Sequence, residues 1–298
     1  RDRSVSRGLG DVYKRQSLGS VYAIIALGYT MVYGIAKMLN FAHGDVIMIG
    51  GYVLFSMIYG SGTNVFAALI VAMVVCTVLG VVIEKVAYKP LREASSLAVL
   101  ITAIGVSILL QNIAQLIFTS QPKMFRNPIK LGSVKMFGAN IEGSTILMIV
   151  LGIIIVVALS IFIRKTKTGR AMLAVSEDKD AAKLMGINVN TTITITFAIG
   201  SALAALASLL MFNAYPSLIP TSGSMPGIKA FVAAVFGGIG SIPGAMVGGI
   251  VLGIIEVLSG AYIPNGTKLA NAIVFVVLIV VLIFKPTGLF GKKIKEKV

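Results

Sequence analysis

The side chains with the clearest potential for chemistry lie in one short segment, LNFAHGD at residues 39–45, which interrupts two apolar runs. The segment holds the only histidine of the chain, His43, and an aspartate two residues further on, Asp45. Asn40 and Gly44 are residue types that favour the end of one helix and the start of the next. Charged groups at membrane depth cost about 3 kcal/mol or more, so they usually face a cavity and mark a pathway. We therefore interpret the segment as a broken helix that offers polar groups to a ligand, with an ordinary loop at the membrane surface as the alternative.

A catalytic role for the same residues has little support in the sequence. His43 and Asp45 stand at positions i and i+2, which do not face each other on a helix, so they form a poor acid–base pair. No nucleophile or second metal ligand can be assigned beside them, and the single cysteine, Cys76, lies in an apolar run. One cysteine allows neither a disulfide framework nor a cysteine-based metal site. The sequence therefore predicts no catalytic residue and no metal ligand, and an intramembrane enzyme is the weakest alternative.

The elements that carry these residues are too apolar for a water-soluble protein. Hydrophobic residues make up 57% of the 298 residues, charged residues only 12%, and the mean hydropathy is +0.95. A soluble domain has about 25% charged residues, and much of its surface must face water. The formal net charge of +15 could suggest nucleic acid, but the basic residues lie between apolar runs rather than on one soluble domain. We therefore expect a lipid bilayer around the chain and no nucleic-acid partner.

Eight apolar runs are candidates for membrane-spanning helices, although the second and the seventh are short. A span needs about 20 apolar residues, at about 1.5 Å each, to cross about 30 Å of hydrocarbon. The eight runs are Leu18–Ala36, Val46–Tyr59, Val65–Ile83, Leu97–Thr119, Thr145–Ile163, Thr191–Phe212, Pro243–Leu258 and Leu269–Phe284. Polar residues that could face a cavity inside the runs are Gln111, Asn112, Glu256 and Asn271.

A further apolar stretch, Gly227–Gly238, has about half the length of a span. It is bracketed by Pro226 and by the glycines of GGIGSIPG. That pattern is typical of a half-helix that enters the membrane and turns back, provided that protein or a water-filled cavity covers its broken backbone. We therefore predict an all-α, polytopic membrane bundle of about eight spans plus one half-helix.

The distribution of Lys and Arg predicts the orientation of the spans, because short cytoplasmic loops carry an excess of both residues. Basic residues concentrate after the third span, after the fifth span, and in the tail that ends with residues 292–298. This places the N-terminus outside and the C-terminus in the cytoplasm, and it requires one more crossing after residue 190 than the apolar runs provide. The segment 120–144 is also basic and disagrees with this orientation. Residues 1–16 are polar and basic, and we interpret them as a disordered or foreign tail.

The loop at residues 164–190 contains a polar segment of a different kind, Ser176–Gly186. Its composition predicts a short helix that Ser176 caps, that carries acidic residues in its first turn, and that ends at a left-handed glycine. Ala181, Leu184 and Met185 fall on one face at helical spacing. A capped helix with an exposed apolar patch suits docking into a partner's groove, and a surface helix that lies on its own protein is the alternative.

Several long blocks resemble the permeases of branched-chain amino acid ABC importers, and more narrowly the shorter of the two permeases of the high-affinity leucine/isoleucine/valine uptake system. The blocks are SLGSVYAIIALGYTMVYGIAKMLNFAHGD, EKVAYKPLR, TGRAMLAVSEDKDAAKLMGINVN, GIKAFVAAVFGGIGSIPGAMVGGIVLGIIE and FKPTGLFG. They follow in the family's order over residues 17–291, which the resemblance implies to be a single transmembrane permease domain. The resemblance also implies a fold related to the vitamin B12-type and ribose-type importer permeases.

The resemblance implies partners and a location as well. Such permeases pair with a sister permease subunit and work with two cytoplasmic ATPase subunits and an extracytoplasmic substrate-binding protein, in the bacterial inner membrane. ATP and Mg²⁺ would be bound by the ATPase subunits, and this chain would hold no cofactor. In agreement with that expectation, the sequence has no G-x-x-x-x-G-K-[ST] loop that could cradle a nucleotide.

Three groups of residues take roles from the resemblance. Asn40, His43, Gly44 and Asp45 match a broken-helix region near the translocation path. The residues that match the region coupling to the ATPase are Gly169, Arg170, Glu177, Asp178, Ala181, Ala182, Leu184, Met185 and Gly186. Gly237, Gly238, Gly240 and Gly244 match a helix-breaking turn.

The function that the resemblance implies is uptake of leucine, isoleucine and valine by alternating access, driven by ATP hydrolysis in partner subunits. Related permeases carry urea, short amides or other amino acids, so such substrates are an alternative. A stand-alone transporter driven by an ion gradient, with His43, Asp45 and Glu256 as ion sites, is a further alternative. Neither an ion-driven transporter nor an enzyme explains the capped helix in the loop 164–190.

Overall fold

The computed structural model describes residues 21–126, 132–136, 139–238, 240–263, 266–285 and 287–290. Within these ranges the chain is mainly helical, which confirms the expectation of a helical protein. The helices are α1 (Val21–Ala36), α2 (His43–Phe55), α3 (Val65–Ile83), α4 (Ser96–Phe118), α5 (Gly143–Lys165), α6 (Lys167–Glu177), α7 (Lys179–Leu184), α8 (Val189–Ala214), α9 (Ser224–Gly237), α10 (Ile242–Tyr262) and α11 (Gly266–Phe284). The two predicted tails, residues 1–16 and 292–298, lie outside the described residues.

Tighter and wider turns extend two of these helices. A π-helical turn, Ser56–Gly60, follows α2. A second π-helical turn, Glu84–Tyr88, and a 3₁₀ turn, Lys89–Leu91, follow α3. These turns lengthen α2 and α3 beyond their α-helical parts, so α3 with its extension runs from Val65 to Leu91.

Four short strands accompany the helices in the described part of the chain. β1 (Lys123–Met124) pairs antiparallel with β4 (Ser217–Leu218), and β2 (Ser133–Met136) pairs antiparallel with β3 (Ala139–Glu142). Three of these strands lie in the segment 120–144, which the sequence presents only as a polar loop between spans. Strands of two to four residues leave almost no periodic signal, because the alternation that identifies a strand needs a longer run.

Among the described residues, three helical segments are long and apolar enough to cross a membrane, namely Val65–Leu91, Ser96–Phe118 and Val189–Ala214. The bent pair Ile149–Lys165 and Lys167–Glu177 is a fourth if it is taken as one span. Shorter apolar helices are Val21–Ala36, Ser224–Gly237, Gly244–Gly260 and Leu269–Phe284. These helices support a multi-pass membrane protein, and the predicted number of eight spans stays a prediction.

One compact unit comprises residues 31–130 and 157–228. Its centre is α8, which packs against α2 and α3, and these two helices also pack against each other. Small residues permit the close approach, since a Cβ atom on Gly80 of α3 would lie 1.9 Å from Ser201 Oγ of α8. Most of α8 is buried, whereas α3 and α4 expose large apolar side chains such as Phe66 and Leu116. Such apolar outer faces fit contact with lipid.

The other compact unit comprises residues 1–30, 131–156 and 229–298. In its described part, α10 packs against α11. Adjacent glycines of α10 meet two further helices: a Cβ atom on Gly248 would lie 2.1 Å from Ala233 O of α9, and one on Gly249 would lie 2.5 Å from Ala23 Cα of α1. The glycines of this segment therefore allow three helix backbones to approach one another.

The structure corrects two predicted boundaries. The second span was predicted from Val46, but α2 begins at His43, because a search for apolar runs leaves out the polar residues that a helix buries in its first turn. The half-helix predicted as Gly227–Gly238 is α9, and Pro226 lies inside its first turn rather than before it. Proline is tolerated there, because the first N–H groups of a helix have no acceptor within the helix. With 14 residues, α9 is about 21 Å long and too short to cross about 30 Å of hydrocarbon.

Candidate functional site

The segment LNFAHGD forms the junction between α1 and α2. Just after α1, Lys37 takes a left-handed backbone conformation with φ +58°, which residues other than glycine rarely adopt. Asn40 lies in the break, and its carbonyl oxygen accepts a hydrogen bond from His43 N at 3.2 Å. His43, Gly44 and Asp45 form the first turn of α2, and all three are buried. The polar residues of this segment are therefore divided between a short break and the N-terminus of a buried helix.

Asn40 is held by a side chain from the extension of α3. Tyr88 Oη donates to Asn40 Oδ1 at 3.0 Å. Tyr88 is completely buried and Asn40 is only 4% exposed, so this bond takes the place of the water that both groups lose on folding. Sequence reasoning missed Tyr88, because a tyrosine at the end of an apolar run gives no sign of the partner that its hydroxyl will meet.

Asp45 lies in a cluster of uncharged polar side chains. Gln111 of α4 places its Nε2 atom 3.0 Å from Asp45 Oδ1, 3.1 Å from Ser107 Oγ and 3.0 Å from Ser224 Oγ. Asp45 is completely buried, and no Lys or Arg of the described residues comes within 4.0 Å of its carboxylate. A carboxylate in a low-dielectric site whose partners are neutral retains the capacity to accept a hydrogen bond or a cation.

The sequence pointed to some residues of this cluster and not to others. Gln111 stands out as a polar residue inside an apolar run, and the structure brings it to Asp45. Ser107 and Ser224 gave no signal, because serine is tolerated in membrane helices and only the packing decides what it faces. Asn112, the neighbour of Gln111, does not join the cluster, since its side chain donates to Ile108 O of its own helix at 2.8 Å.

Gly44 lets the start of α2 meet the start of α9 at backbone distance. A Cβ atom on Gly44 would lie 2.2 Å from Gly223 O and 2.9 Å from Gly227 Cα. A Cβ atom on Gly223 would lie 2.0 Å from Gly44 O. Real Cβ atoms do not come this close to backbone atoms, so the contact requires glycine on both sides. The same contact sets Ser224 beside the side chains that surround Asp45.

The segment Ser176–Gly186, predicted as one helix, is divided between α6 and α7, and the predicted cap is wrong. Ser176 lies inside α6, where its Oγ donates to a backbone carbonyl of the same helix at 2.7 Å. Asp178 caps α7 instead, and its carboxylate accepts from Asp180 N at 2.9 Å and from Ala181 N at 3.0 Å. Asp178 has the extended backbone that an N-cap requires, with φ −153°. Glu177 consequently ends α6 and does not belong to α7.

The end of α7 carries two strongly exposed apolar side chains. Leu184 is 90% exposed and Met185 is 82% exposed. Ala181 is exposed as well, whereas Ala182 is buried and packs inward. Gly186 follows with a left-handed backbone at φ +79°. The helix therefore rests on Ala182 and presents Leu184 and Met185 outward.

Gly169 and Arg170 lie in the first turn of α6, which is bent by 82° from α5. Thr166 caps this helix, because its Oγ1 accepts from Gly169 N at 2.9 Å. A Cβ atom on Gly169 would lie 2.3 Å from Phe162 O, so the bend requires glycine at this position. Arg170 is exposed, and its side chain is therefore available to a partner.

The glycines of GGIGSIPG surround the turn between α9 and α10. Gly238 and Gly240 have left-handed backbones, with φ +105° and +88°. A Cβ atom on Gly237, the last residue of α9, would lie 1.9 Å from Gly244 O in the first turn of α10. Two left-handed residues and one backbone contact account for all four glycines at this turn.

The first residue of α7, Lys179, extends to the end of α1. Its Nζ atom donates to Ala36 O at 3.0 Å. Burial lowers the pKa of Lys179, and three neighbouring positive charges lower it further, those of Arg92, Lys37 and Lys183. Sequence reasoning missed this contact, since a lysine in a polar loop is normally exposed to water.

A buried ion pair joins α9 and α10. Lys229 Nζ lies 2.8 Å from both carboxylate oxygens of Glu256 and 3.1 Å from Tyr22 Oη. The side chains of Lys229 and Glu256 are only 7% and 14% exposed. Glu256 was a candidate from the sequence, whereas Lys229 was missed although a lysine inside an apolar half-helix is itself unusual. The two residues are 27 positions apart, and only the packing of α9 on α10 brings them together.

A second buried carboxylate, Glu84, also has a cationic partner. Arg92 forms an ion pair with Glu84 and a hydrogen bond with Asn190. Thr194 Oγ1 of α8 donates to Glu84 Oε2 at 2.8 Å. This network ties the extension of α3 to the start of α8. Within the described ranges, no group of three or more His, Cys, Asp or Glu side chains is placed to hold a metal ion.

Comparison with known proteins decides the family. A family model described as branched-chain amino acid transport system / permease component matches residues 16–282. The chain belongs to this family. LivH, a high-affinity branched-chain amino acid transport system permease protein of Escherichia coli, is 44% identical over 97% of both chains. BraD of Pseudomonas aeruginosa, a protein with the same description, is 42% identical over 95% of both chains.

A more distant relative is the ribose import permease protein RbsC of Haemophilus influenzae, which is 28% identical and covers 80% of this chain and 73% of its own length. Family membership identifies the chain as a membrane permease component of a transport system, which is not itself an enzyme.

Proposed function

We propose that this chain is a permease subunit of an ABC importer and forms the translocation path for leucine, isoleucine and valine. The observation that carries the proposal is the family match over residues 16–282, together with relatives whose names specify branched-chain amino acid transport. Uptake is driven by ATP hydrolysis in partner subunits, which bind the nucleotide and Mg²⁺, and the chain itself needs no cofactor. The fold is related to the ribose-type and vitamin B12-type importer permeases, a proposal that the similarity to RbsC supports.

The proposed path runs past Asn40, His43, Gly44 and Asp45. The substrate is a zwitterion, so its ammonium group needs acceptors and its carboxylate needs donors when water is removed. A buried carboxylate with uncharged partners supports the assignment of Asp45 to the ammonium group. The apolar helices around the junction suit an aliphatic side chain.

The proposed orientation places the N-terminus outside and the C-terminus in the cytoplasm of a bacterial cell, with about eight spans in the inner membrane. The turn at Gly237, Gly238, Gly240 and Gly244 then ends a half-helix, α9. Its length of 14 residues supports this assignment, because a full crossing needs about 20. The partners are a sister permease subunit, two cytoplasmic ATPase subunits and an extracytoplasmic binding protein.

The proposed coupling element is α6 with α7. It includes Gly169, Arg170, Glu177, Asp178, Ala181, Ala182, Leu184, Met185 and Gly186. The exposure of Leu184 and Met185 supports the proposal, since two large apolar side chains this exposed beside charged residues suit a groove in a partner. Closure of the ATPase subunits on nucleotide moves this element, and the path alternates between its outward and inward openings.

Reconstitution tests the function directly. The chain is incorporated into proteoliposomes with its sister permease, the ATPase subunits and the binding protein, and uptake of labelled leucine, isoleucine and valine is measured with and without ATP. We expect uptake of the three amino acids to require ATP. An excess of urea or of short amides should not inhibit it. Uptake of urea or amides in preference would overturn the substrate, and uptake by the chain alone under an ion gradient would overturn the ABC mechanism.

A double substitution tests the coupling element. Leu184→Asp with Met185→Asp places two charges where an apolar contact is proposed, so we expect uptake to fall about ten-fold or more and ATP hydrolysis to lose its stimulation by substrate. The matched control is Leu184→Met with Met185→Leu, which keeps the patch apolar. Transport by the Asp variant equal to that of the control would remove the docking role from α7.

A further inference from the structure

The end of α1 has a left-handed cap formed by a lysine, where glycine is usual, and a further donor from a distant side chain. The final carbonyl oxygens of a helix have no partner within the helix, and many helices end with a glycine that lets the chain turn back and supply one. Here α1 is followed by Lys37, a non-glycine residue in the left-handed conformation. Lys37 N donates to Tyr33 O at 2.9 Å, which satisfies one carbonyl, and Ala36 O accepts from Lys179 Nζ at 3.0 Å. The junction therefore depends on a side chain from 143 positions away.

The position of Lys179 in α7 means that the contact joins the start of this helix to the end of α1. Lys179 is the first residue of α7 and directly follows Asp178, whose carboxylate is already used by two backbone N–H groups of α7. The end of the same helix presents Leu184 and Met185 to the outside. The short, capped helix α7 thus contacts α1 at its start and faces away from its own protein at its end.

The other end of the contact lies at the break. Ala36 is the last residue of α1, and the segment between it and His43 is the junction that contains Asn40. Ala36 is completely buried, and its carbonyl oxygen has the ammonium group of Lys179 as its donor. A displacement of α7 therefore either moves the end of α1 or breaks this hydrogen bond.

The charges near Lys179 do not favour its position on their own. Burial lowers the pKa of Lys179, and the positive charges of Arg92, Lys37 and Lys183 lower it further. The carboxylate of Asp180, the hydrogen bond to Ala36 O and the negative end of the α1 dipole oppose this repulsion. An interaction that balances attraction against repulsion suits an element with two arrangements, because a small change in position shifts the balance.

We propose that Lys179 is a positioning residue that transmits the movement of α7 to the break between α1 and α2. The proposal rests on the proposed function, in which a partner moves α7, and it assigns the transmission to one side chain. When α7 moves, the Lys179–Ala36 contact carries the end of α1 with it and rearranges the segment at residues 37–42.

The test uses the complete complex in proteoliposomes and compares three variants. Lys179→Met keeps the length and most of the apolar stem but removes the donor and the charge, and Lys179→Arg keeps both. The matched control is Lys89→Met, at an exposed lysine of the same compact unit that lies outside α6 and α7. For each variant, substrate imported per ATP hydrolysed is measured beside the rate of ATP hydrolysis.

We expect Lys179→Met to hydrolyse ATP within about two-fold of the wild-type rate but to import about ten-fold less substrate per ATP. Lys179→Arg recovers most of the import, and Lys89→Met matches the wild type. Import per ATP by Lys179→Met within about two-fold of wild type would overturn the proposal. A wild-type complex that imports none of the three amino acids would instead overturn the proposed function.

A second measurement follows the segment at residues 37–42 directly and does not require a complex that is active in transport. Amide hydrogen exchange over residues 37–42 is followed in wild-type complex and in Lys179→Arg, with and without a non-hydrolysable ATP analogue. We expect the analogue to change exchange in this segment in both proteins, and to change it much less in any Lys179→Met complex that is recovered. An unchanged segment in the wild type, or an equal response in Lys179→Met, would overturn the proposal, and this readout does not depend on the identity of the substrate.

Discussion

Two buried acidic residues, Glu256 and Asp45, lie in apolar helices but have very different partners. Glu256 is paired with Lys229, whose Nζ atom lies 2.8 Å from both carboxylate oxygens. Asp45 has the amide of Gln111 at 3.0 Å, and no Lys or Arg from the described part of the chain lies within 4.0 Å of it. Each belongs to a different compact unit, so each environment can be judged by itself.

The difference shows that Glu256 has a counter-charge within the protein, whereas no Lys or Arg of the described residues lies beside Asp45. Glu256 and Lys229 neutralise each other, and a ligand could reach one of them only by breaking an ion pair that has little access to water. Asp45 has neutral donors that orient its carboxylate without neutralising it. We therefore interpret the Lys229–Glu256 pair as a structural link between α9 and α10, and Asp45 as the member that serves a ligand.

Breaking the ion pair on one side tests the structural half of this comparison and should have the largest effect. Glu256→Leu leaves the Lys229 ammonium buried without its counter-charge, so we expect the free energy of unfolding to fall by about 3–5 kcal/mol. The double variant Lys229→Met with Glu256→Leu removes both charges and should recover most of that loss. Thermal unfolding in detergent, followed by circular dichroism, measures both.

The double variant can also contradict the interpretation of the Lys229–Glu256 pair as a structural link. If it unfolds as readily as Glu256→Leu but the purified complex still imports substrate at the wild-type rate, the pair is not a charge-compensated link. If the double variant is stable but inactive, the pair serves transport rather than structure, and the contrast with Asp45 disappears.

Removing the charge of Asp45 tests the other half. Asp45→Asn keeps the shape and leaves an amide among Gln111, Ser107 and Ser224, so we expect import to fall about ten-fold, which corresponds to about 1.4 kcal/mol of lost interaction with the substrate's ammonium group. Stability should stay within about 1 kcal/mol of wild type, because burial of a charge without a counter-charge is no longer required. Proteoliposome uptake measures the first effect.

The buried thiol of Cys76 measures the second effect, since it is the single cysteine and a maleimide reaches it only when the surrounding unit opens. The matched control is Glu93→Gln, which neutralises an exposed carboxylate in the same unit. Unchanged uptake by Asp45→Asn would show that its carboxylate does not meet the substrate and would place it with Glu256 as a structural group.

The helices that face lipid were predictable from the sequence, whereas the contacts between side chains were not. The prediction Val65–Ile83 matches α3, and Leu97–Thr119 differs from α4 by one residue at each end, because the apolar length needed to cross a bilayer marks both boundaries. The first turn of α2 was missed, since burial of polar side chains there depends on partners from α4 that no local pattern reveals.

The candidate site shows the same limit at the level of single residues. Ser176 and Asp178 are both acceptable N-caps, and local rules do not choose between them. The structure has Asp178 as the cap, where the extended backbone separates α6 from α7 and Lys179 contacts Ala36 O. Pairs such as Lys229 with Glu256 join residues far apart in sequence, and only the packing of whole helices sets their distance.

Asn40 belongs to the same segment as Asp45, but like Glu256 it has a partner within the protein, the hydroxyl group of Tyr88. Removing this partner should have the smallest effect of the substitutions considered. Tyr88→Phe deletes the hydroxyl that lies 3.0 Å from Asn40 Oδ1, so we expect the free energy of unfolding to fall by about 1 kcal/mol. The KM for uptake should not change, because the partner of Tyr88 is a protein group and not the substrate. Tyr262→Phe, at an exposed tyrosine, is the control and should change neither quantity. A rise in KM with unchanged stability would instead show that the Tyr88–Asn40 pair contacts the substrate directly, as proposed for Asp45, since a group that meets the substrate alters its binding without altering the fold.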